Sequence, residues 1–130
     1  MFYIVFFFSG CGGNVTLNNG SLYSPHYPED SPNGLFCVWR LSVALGNTIL
    51  LHFNYLSLAN TIDCTADYVE VLDTSLSRLN LIGRYCGSFA RPESVVSSTN
   101  KVIVRFRSNS TAQGRKFFIT HSTITESKFS

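Results

Sequence analysis

Four cysteines, at positions 11, 37, 64 and 86, constrain the fold of this 130-residue chain more than any other feature. They form two closely spaced pairs, which suits the disulfides Cys11–Cys37 and Cys64–Cys86, because sequential pairing closes loops short enough to staple neighbouring strands. Each disulfide would stabilise the fold by about 3 to 4 kcal/mol. A zinc site is the alternative, but no cysteine pair has a CxxC spacing and the three histidines are scattered. The chain is therefore expected in an oxidising compartment.

Apolar and polar residues alternate in two segments, as they do in strands with one buried face. In Ile49–Tyr55 the odd positions are apolar, whereas His52 falls on the opposite face. In Lys101–Arg107 the even positions are apolar, and Arg105 and Arg107 are expected to face outward. Residues 68–72 and 117–121 are further candidate strands. Many short strands separated by polar turns predict a β-sandwich.

Six short motifs follow one another in an order that is specific as a set. They are Cys11-Gly12-Gly13, Ser24-Pro25-His26-Tyr27-Pro28, Cys37-Val38-Trp39, Cys64-Thr65-Ala66-Asp67-Tyr68, Tyr85-Cys86-Gly87 and Phe106-Arg107-Ser108. Through these motifs the chain resembles a CUB domain from Cys11 to His121. The resemblance implies an all-β, antiparallel, jelly-roll-like β-sandwich with two disulfides. It also implies a module of secreted and cell-surface proteins that binds proteins or glycans and carries no catalysis.

Composition and motifs exclude several other classes of function. The formal net charge of +2 and the pI near 8.4 are too mild for a nucleic-acid-binding domain, which needs a strong basic stripe. The chain has no GxSxG elbow, HExxH helix or phosphate-binding loop. His26, His52 and His121 fall on different strands or turns, so no histidine is paired with a nucleophile. We expect no enzymatic activity.

Both ends of the chain are expected to lie outside the domain. Residues 1–10 form an apolar stub that is too short to span a bilayer. It is either a remnant of a signal peptide or the end of a preceding module. Residues 122–130 are polar and are predicted to be a linker.

The resemblance implies a calcium site that this sequence retains only in part. The family pattern places a glutamate before the third cysteine, an aspartate three residues after it, and an aspartate in a late turn. Here these positions hold Ala59, Asp67 and Asn109. Calcium takes six to eight oxygen ligands, commonly several carboxylates, so we expect the site to be lost and no cofactor to be bound. Asp63 and Asp73 are the carboxylates that could substitute; otherwise Asp67 is a turn residue that accepts backbone N–H groups.

Three sequons predict N-linked glycans at Asn14, Asn19 and Asn109. A glycan on Asn109 would cover the loop in which the calcium site is expected to be lost. The alternative is that one or more of the three sites is unoccupied, because the tripeptide is common by chance.

Four basic residues are candidate ligand contacts. Arg105 and Arg107 share one strand face, and Arg115 with Lys116 begins the next strand, so a hairpin would bring the four together. Such a patch would bind a sulfated glycan or an acidic protein. The alternative is that these residues only provide the polar outer face that a strand needs.

Aromatic residues supply weaker candidates for ligand binding. Trp39 alternates with Cys37 and Leu41 and is expected in the core. Tyr23, Tyr27 and His26 fall in a turn-rich stretch where exposed aromatic rings can contact ligand.

Three functional hypotheses remain open from the sequence. The first is a non-enzymatic module that binds an extracellular protein ligand, within a larger secreted or cell-surface protein such as a tandem-CUB endocytic receptor resembling cubilin. The second is a free-standing, glycan-binding protein of the spermadhesin type. The third is a domain that selects substrate for an attached extracellular protease.

Overall fold

The computed structural model describes residues 11–59, 61–75, 78–87, 94–109 and 115–125. These residues form nine strands and one short 3-10 helix at Ile62–Cys64. The strands are β1 (Gly13–Val15), β2 (Asn19–Tyr23), β3 (Leu35–Ser42), β4 (Thr48–Ser57), β5 (Tyr68–Ser75), β6 (Arg78–Tyr85), β7 (Ser94–Val96), β8 (Lys101–Ser108) and β9 (Lys116–Ile124).

The nine strands form two sheets that face each other. One sheet has the strand order β1-β3-β8-β5-β6 and the other has the order β2-β9-β4-β7. Among the described strands every pairing is antiparallel except that of β1 with β3, which is parallel. The predicted jelly-roll-like β-sandwich with two disulfides is therefore confirmed.

The core lies between the sheets and follows the alternation of the sequence. In β8, Val102, Val104 and Phe106 are buried, whereas Arg105 and Arg107 point outward, as predicted. Trp39 lies in the core and packs edge-on against Phe117 of the opposite sheet, with ring centroids 5.8 Å apart. Aromatic pairs in this arrangement contribute about 0.5 to 1.5 kcal/mol beyond the area they bury.

The predicted face of β4 is correct only as far as Phe53. Ile49, Leu51 and Phe53 are buried, but Tyr55 is 43% exposed and Leu56 is buried in its place. The pairing of β4 with β9 shifts between Phe53 and Tyr55, which is the signature of a β-bulge. Because a bulge inserts one extra residue, it moves every following side chain to the other face.

Both predicted disulfides are present. Cys11 is bonded to Cys37 and Cys64 to Cys86, which closes loops of 26 and 22 residues. The first disulfide holds the chain against β3 so closely that only glycine fits beside it. Gly12 has a φ of +90°, and a Cβ there would lie 2.4 Å from the carbonyl oxygen of Val38.

The end of the described fold extends beyond the predicted domain boundary. β9 continues to Ile124. In its pairing with β4, Thr123 stands opposite Ile49 and Ile124 stands opposite Thr48. The strand thus reaches three residues into the segment for which a linker was predicted. The N-terminal stub, residues 1–10, lies outside the described residues. No helix in the described part of the chain is long and apolar enough to cross a membrane.

Candidate functional site

Asp67 lies at the end of the sandwich where the sequence placed the calcium site. Its side chain is fully buried. One carboxylate oxygen accepts the backbone N–H of Asn109 at 2.9 Å, and the other accepts the backbone N–H of Ala59 at 3.3 Å. Asp67 therefore ties together the chain segments that precede the third cysteine and follow β8. A carboxylate that accepts backbone N–H groups in this way stabilises loops.

The residues around Asp67 do not fit a calcium ion. The methyl group of Ala59 cannot coordinate, and the amide of Asn109 brings no charge. Asp63 is exposed on the 3-10 helix. Asp73 lies towards the opposite end of β5, where its carboxylate accepts hydrogen bonds from Ser98 and Thr99. Asp73 is thus not a substitute ligand, and the described residues contain no cluster of three or more metal-binding side chains.

The hairpin predicted to gather four basic residues is wrong. β8 belongs to the five-stranded sheet and β9 to the four-stranded sheet, so Arg105 and Arg107 are not neighbours of Arg115 and Lys116. Sequence adjacency cannot distinguish a hairpin from a connection that crosses between sheets, because both begin with a strand followed by a turn.

Arg115 and Lys116 anchor the β2–β3 loop, residues 24–34. Arg115 is buried, and its Nη2 donates to the carbonyl oxygen of Ser31 at 3.2 Å. The Nζ of Lys116 donates to the carbonyl oxygen of Pro28 at 3.2 Å and lies 3.4 Å from the carboxylate of Asp30. These contacts give both residues a structural role and leave Arg105 and Arg107 as the candidate contacts on an open face.

Arg105 belongs to an ion network on the outer face of the five-stranded sheet. Glu70 in β5 stands directly opposite Arg84 in β6 and Arg105 in β8. One oxygen of Glu70 accepts from Nε and Nη2 of Arg84 at 2.8 and 2.5 Å, and the other accepts from Arg105 Nε at 3.0 Å. The guanidinium of Arg84 also lies 4.3 Å above the centre of the Tyr68 ring. Four residues on three strands thus fix two guanidinium groups side by side.

The same outer face carries three more cations and exposed apolar side chains. Arg40, Lys101 and Arg107 share the outward positions of β3 and β8, so five cations accompany one carboxylate, Glu70, among the described residues of this face. The exposed apolar residues are Phe36, Leu79 and Leu81. We refer to nine residues as the arginine face: Phe36, Arg40, Glu70, Leu79, Leu81, Arg84, Lys101, Arg105 and Arg107.

Sequence reasoning found only two residues of the arginine face, Arg105 and Arg107. The alternation of Phe36 and Arg40 with buried Cys37 and Trp39 was a usable signal for two others. The pairing of Glu70 with Arg84 had no such signal. It depends on which strands become neighbours.

The predicted glycosylation sites lie at the surface. Asn14 is exposed in β1, Asn19 is exposed at the start of β2, and Asn109 is exposed just after β8. Glycosylation at these three residues stays a prediction.

The aromatic candidates lie on the outer face of the four-stranded sheet. The rings of Tyr23 and Phe118 stack with centroids 4.9 Å apart, and Tyr27 lies 5.3 Å from Tyr23. His26 is exposed with a φ of +71°. Tyr23 is 48% exposed, so the cluster both packs against the β2–β3 loop and leaves one ring open to a ligand.

Burial shifts the pKa of two side chains, buried His121 and half-buried Tyr85. His121 is buried on the inner side of β9, and burial lowers its pKa because desolvation penalises the imidazolium form. Burial likewise raises the pKa of Tyr85, whose ring packs edge-on against Phe53. His52 lies on the outer face of β4 as expected.

Comparison with known proteins agrees with this architecture. The model of the CUB domain family matches residues 11–121. The chain is 43% identical to human membrane frizzled-related protein over 103 residues, which is 78% of the chain and 18% of that protein. It is 38% identical to mouse tolloid-like protein 2, covering 85% of the chain and 11% of that protein. With rat cubilin it shares 38% identity over 94% of the chain and 3% of that protein.

Solved structures show the same fold. The extracellular region of zebrafish Gpr126/Adgrg6 matches with a TM-score of 0.77 and 26% identity, over 88% of this chain and 15% of that one. The CUB1-EGF-CUB2 domains of rat MASP-1 match with a TM-score of 0.76 and 21% identity, over 87% of this chain and 42% of that one. The second likeness concerns the fold alone.

Proposed function

Because this chain belongs to the CUB domain family, we propose that it is a non-enzymatic module that recognises an extracellular protein ligand within a larger secreted or cell-surface protein. The chain spans between 3% and 20% of the curated relatives it matches. In each of them the matching segment is a small part of a longer protein. The similarity to cubilin over 94% of the chain supports the reading as one module of a tandem array in an endocytic receptor.

The observation that carries this proposal is the arginine face. It combines guanidinium groups held in place by Glu70 with exposed Phe36 and Leu81, which are 52% and 57% exposed. Aromatic and arginine side chains are enriched where proteins bind each other. At the end of the sandwich near Asp67, both carboxylate oxygens already accept backbone N–H groups, so this residue is engaged within the fold.

A binding screen tests the proposal directly. The 130-residue chain, secreted as a glycoprotein, is biotinylated, multimerised on streptavidin and applied to one array of purified ectodomains and one array of glycans. Candidate ectodomains are then measured singly by surface plasmon resonance. We expect at least one ectodomain to bind with a Kd of about 1 μM or tighter. We also expect chelator to leave that affinity unchanged. Binding to glycans with no ectodomain bound would refute protein recognition in favour of the free-standing, glycan-binding alternative.

A further inference from the structure

Glu70 holds Arg84 and Arg105 by the same edge of each guanidinium group. Arg84 uses Nε and Nη2, and Arg105 likewise places Nε and Nη2 on the other oxygen of Glu70. A guanidinium group has five N–H donors, so the Nη1 end of each remains available to another acceptor. The two side chains are 36% and 30% exposed, whereas Glu70 is only 4% exposed. Two arginines are thus presented to solvent by one buried carboxylate.

The pair is held in place before any ligand arrives. A free arginine side chain loses much rotational freedom when a ligand fixes it, which lowers affinity. Here Glu70 and the ring of Tyr68 already hold Arg84 flat, and β5 sets the spacing between Arg84 and Arg105. One carboxylate between two cations also leaves a positive charge on the pair. The geometry suits an incoming carboxylate, since guanidinium groups bind carboxylates through paired N–H bonds.

The surroundings of the pair distinguish between polyanionic partners. Leu81 and Phe36 are exposed on the same face, on either side of the arginines. A sulfated polysaccharide gains little from covering such apolar groups, whereas a protein segment with apolar residues between its acidic ones buries them. Arg107 and Lys101 extend the positive charge along β8.

We infer that the arginine face binds an acidic protein segment with interspersed apolar residues. In this arrangement Arg84 and Arg105 bind its carboxylates, and Glu70 acts as the positioning residue. The inference rests on the proposed function and names the surface and the class of partner. It makes Glu70, an anion, necessary for binding another anion.

The test uses a fluorescein-labelled peptide of alternating glutamate and leucine, with fluorescence anisotropy as the readout on the secreted 130-residue chain. We expect Arg84→Gln and Arg105→Gln each to weaken binding by roughly tenfold, since each removes a charge-assisted contact. Arg78→Gln makes the same change of charge on β6, outside the arginine face and without touching Glu70. It should weaken binding less than about threefold, as expected for long-range attraction alone. Equal losses for all three variants would overturn the inference.

Variants of Glu70 separate positioning from charge. Glu70→Gln makes the face more positive, so simple electrostatics requires tighter binding, whereas positioning requires weaker binding. Glu70→Asp keeps the charge but is too short to reach both arginines, and it should weaken binding by roughly fivefold or more. Thermal unfolding checks that each variant is folded. If Glu70→Gln does not fold, the decision rests on Glu70→Asp and the arginine variants. Tighter binding by Glu70→Gln, or unchanged binding by Glu70→Asp, would contradict the role given to Glu70.

A heparin-derived oligosaccharide in the same assay decides the class of partner. The inference fails if this oligosaccharide binds more tightly than the peptide and if its binding is lost in the Arg84→Gln and Arg105→Gln variants. The ectodomain screen tests the proposed function independently of this inference. An ectodomain whose affinity survives both arginine variants would overturn this inference and leave protein recognition standing. Loss of that affinity in both variants, but not in Arg78→Gln, would support it.

Discussion

Replacement of Asp67 by alanine tests whether this buried carboxylate stabilises the loops. The change removes the acceptor for the backbone N–H groups of Ala59 and Asn109. A buried polar group left without a partner costs about 1 to 3 kcal/mol. Because Asn109 is partly open to water, we take the lower half of that range for each bond. The expected loss is then about 2 to 4 kcal/mol in the free energy of unfolding.

Urea unfolding with both disulfides intact measures this loss. For a domain of this size, the expected loss corresponds to a fall of about 10 °C in Tm. Asp63→Asn is the control, because Asp63 is an exposed aspartate four residues away and asparagine also tolerates its φ of +60°. It should change the free energy of unfolding by less than about 0.5 kcal/mol. A loss below about 1 kcal/mol for Asp67→Ala, or equal losses in both variants, would refute the structural role.

Calcium provides the second half of the same test. A ligand stabilises the folded state by RT ln(1 + [L]/Kd), so about 2 mM calcium adds no more than about 0.4 kcal/mol if Kd is about 2 mM or weaker. The expected Tm is therefore nearly flat between chelator and calcium. A rise of several degrees that disappears in Asp67→Ala would show that loop carbonyls or Asp63 rebuild a site around Asp67. The expectation that chelator leaves ligand affinity unchanged would then be wrong.

Two further predictions concern the backbone and pH. Gly12→Ala should destabilise the fold by about 2 kcal/mol more than Gly34→Ala, because both have positive φ but only at Gly12 would the new Cβ meet backbone atoms of Val38; equal urea midpoints would contradict this. The lowered pKa of His121 means that the unfolded chain takes up a proton first as pH falls. The free energy of unfolding should thus fall as the pH is lowered from about 6.5 through the lower pKa of the folded state. This fall should be smaller in His121→Leu, and parallel pH profiles for the two proteins would contradict the prediction.

The sequence predicted those features that depend on local pattern. Strand β8 was correct in position and in face, because alternating Val102, Val104 and Phe106 allow only one buried face. The disulfide pairs followed from spacing, since short loops close most readily. The face of Tyr55 was wrong because a bulge inserts a residue without changing the local composition.

The candidate site depended on contacts between distant parts of the chain. Arg105 and Arg107 were found on an outward strand face, but their separation from Arg115 follows from strand order. Glu70 lies 14 residues from Arg84 and 35 from Arg105. Many strand orders place a different residue opposite Glu70, so its partners could not be read from one sequence.

The path of the chain through the sandwich has a mechanical consequence. Cys11 enters beside Cys37 near the start of β3, whereas β9 leaves at Ile124, opposite Thr48 towards the other end. Tension applied across the module therefore pulls along β9, which pairs with β2 on one side and β4 on the other. Inter-strand hydrogen bonds lie perpendicular to this pull, so they share the load and must shear together. The module should therefore resist force and then unfold abruptly. Because the disulfides prevent residues 12–36 and 65–85 from extending, the increase in its end-to-end length on unfolding should be small.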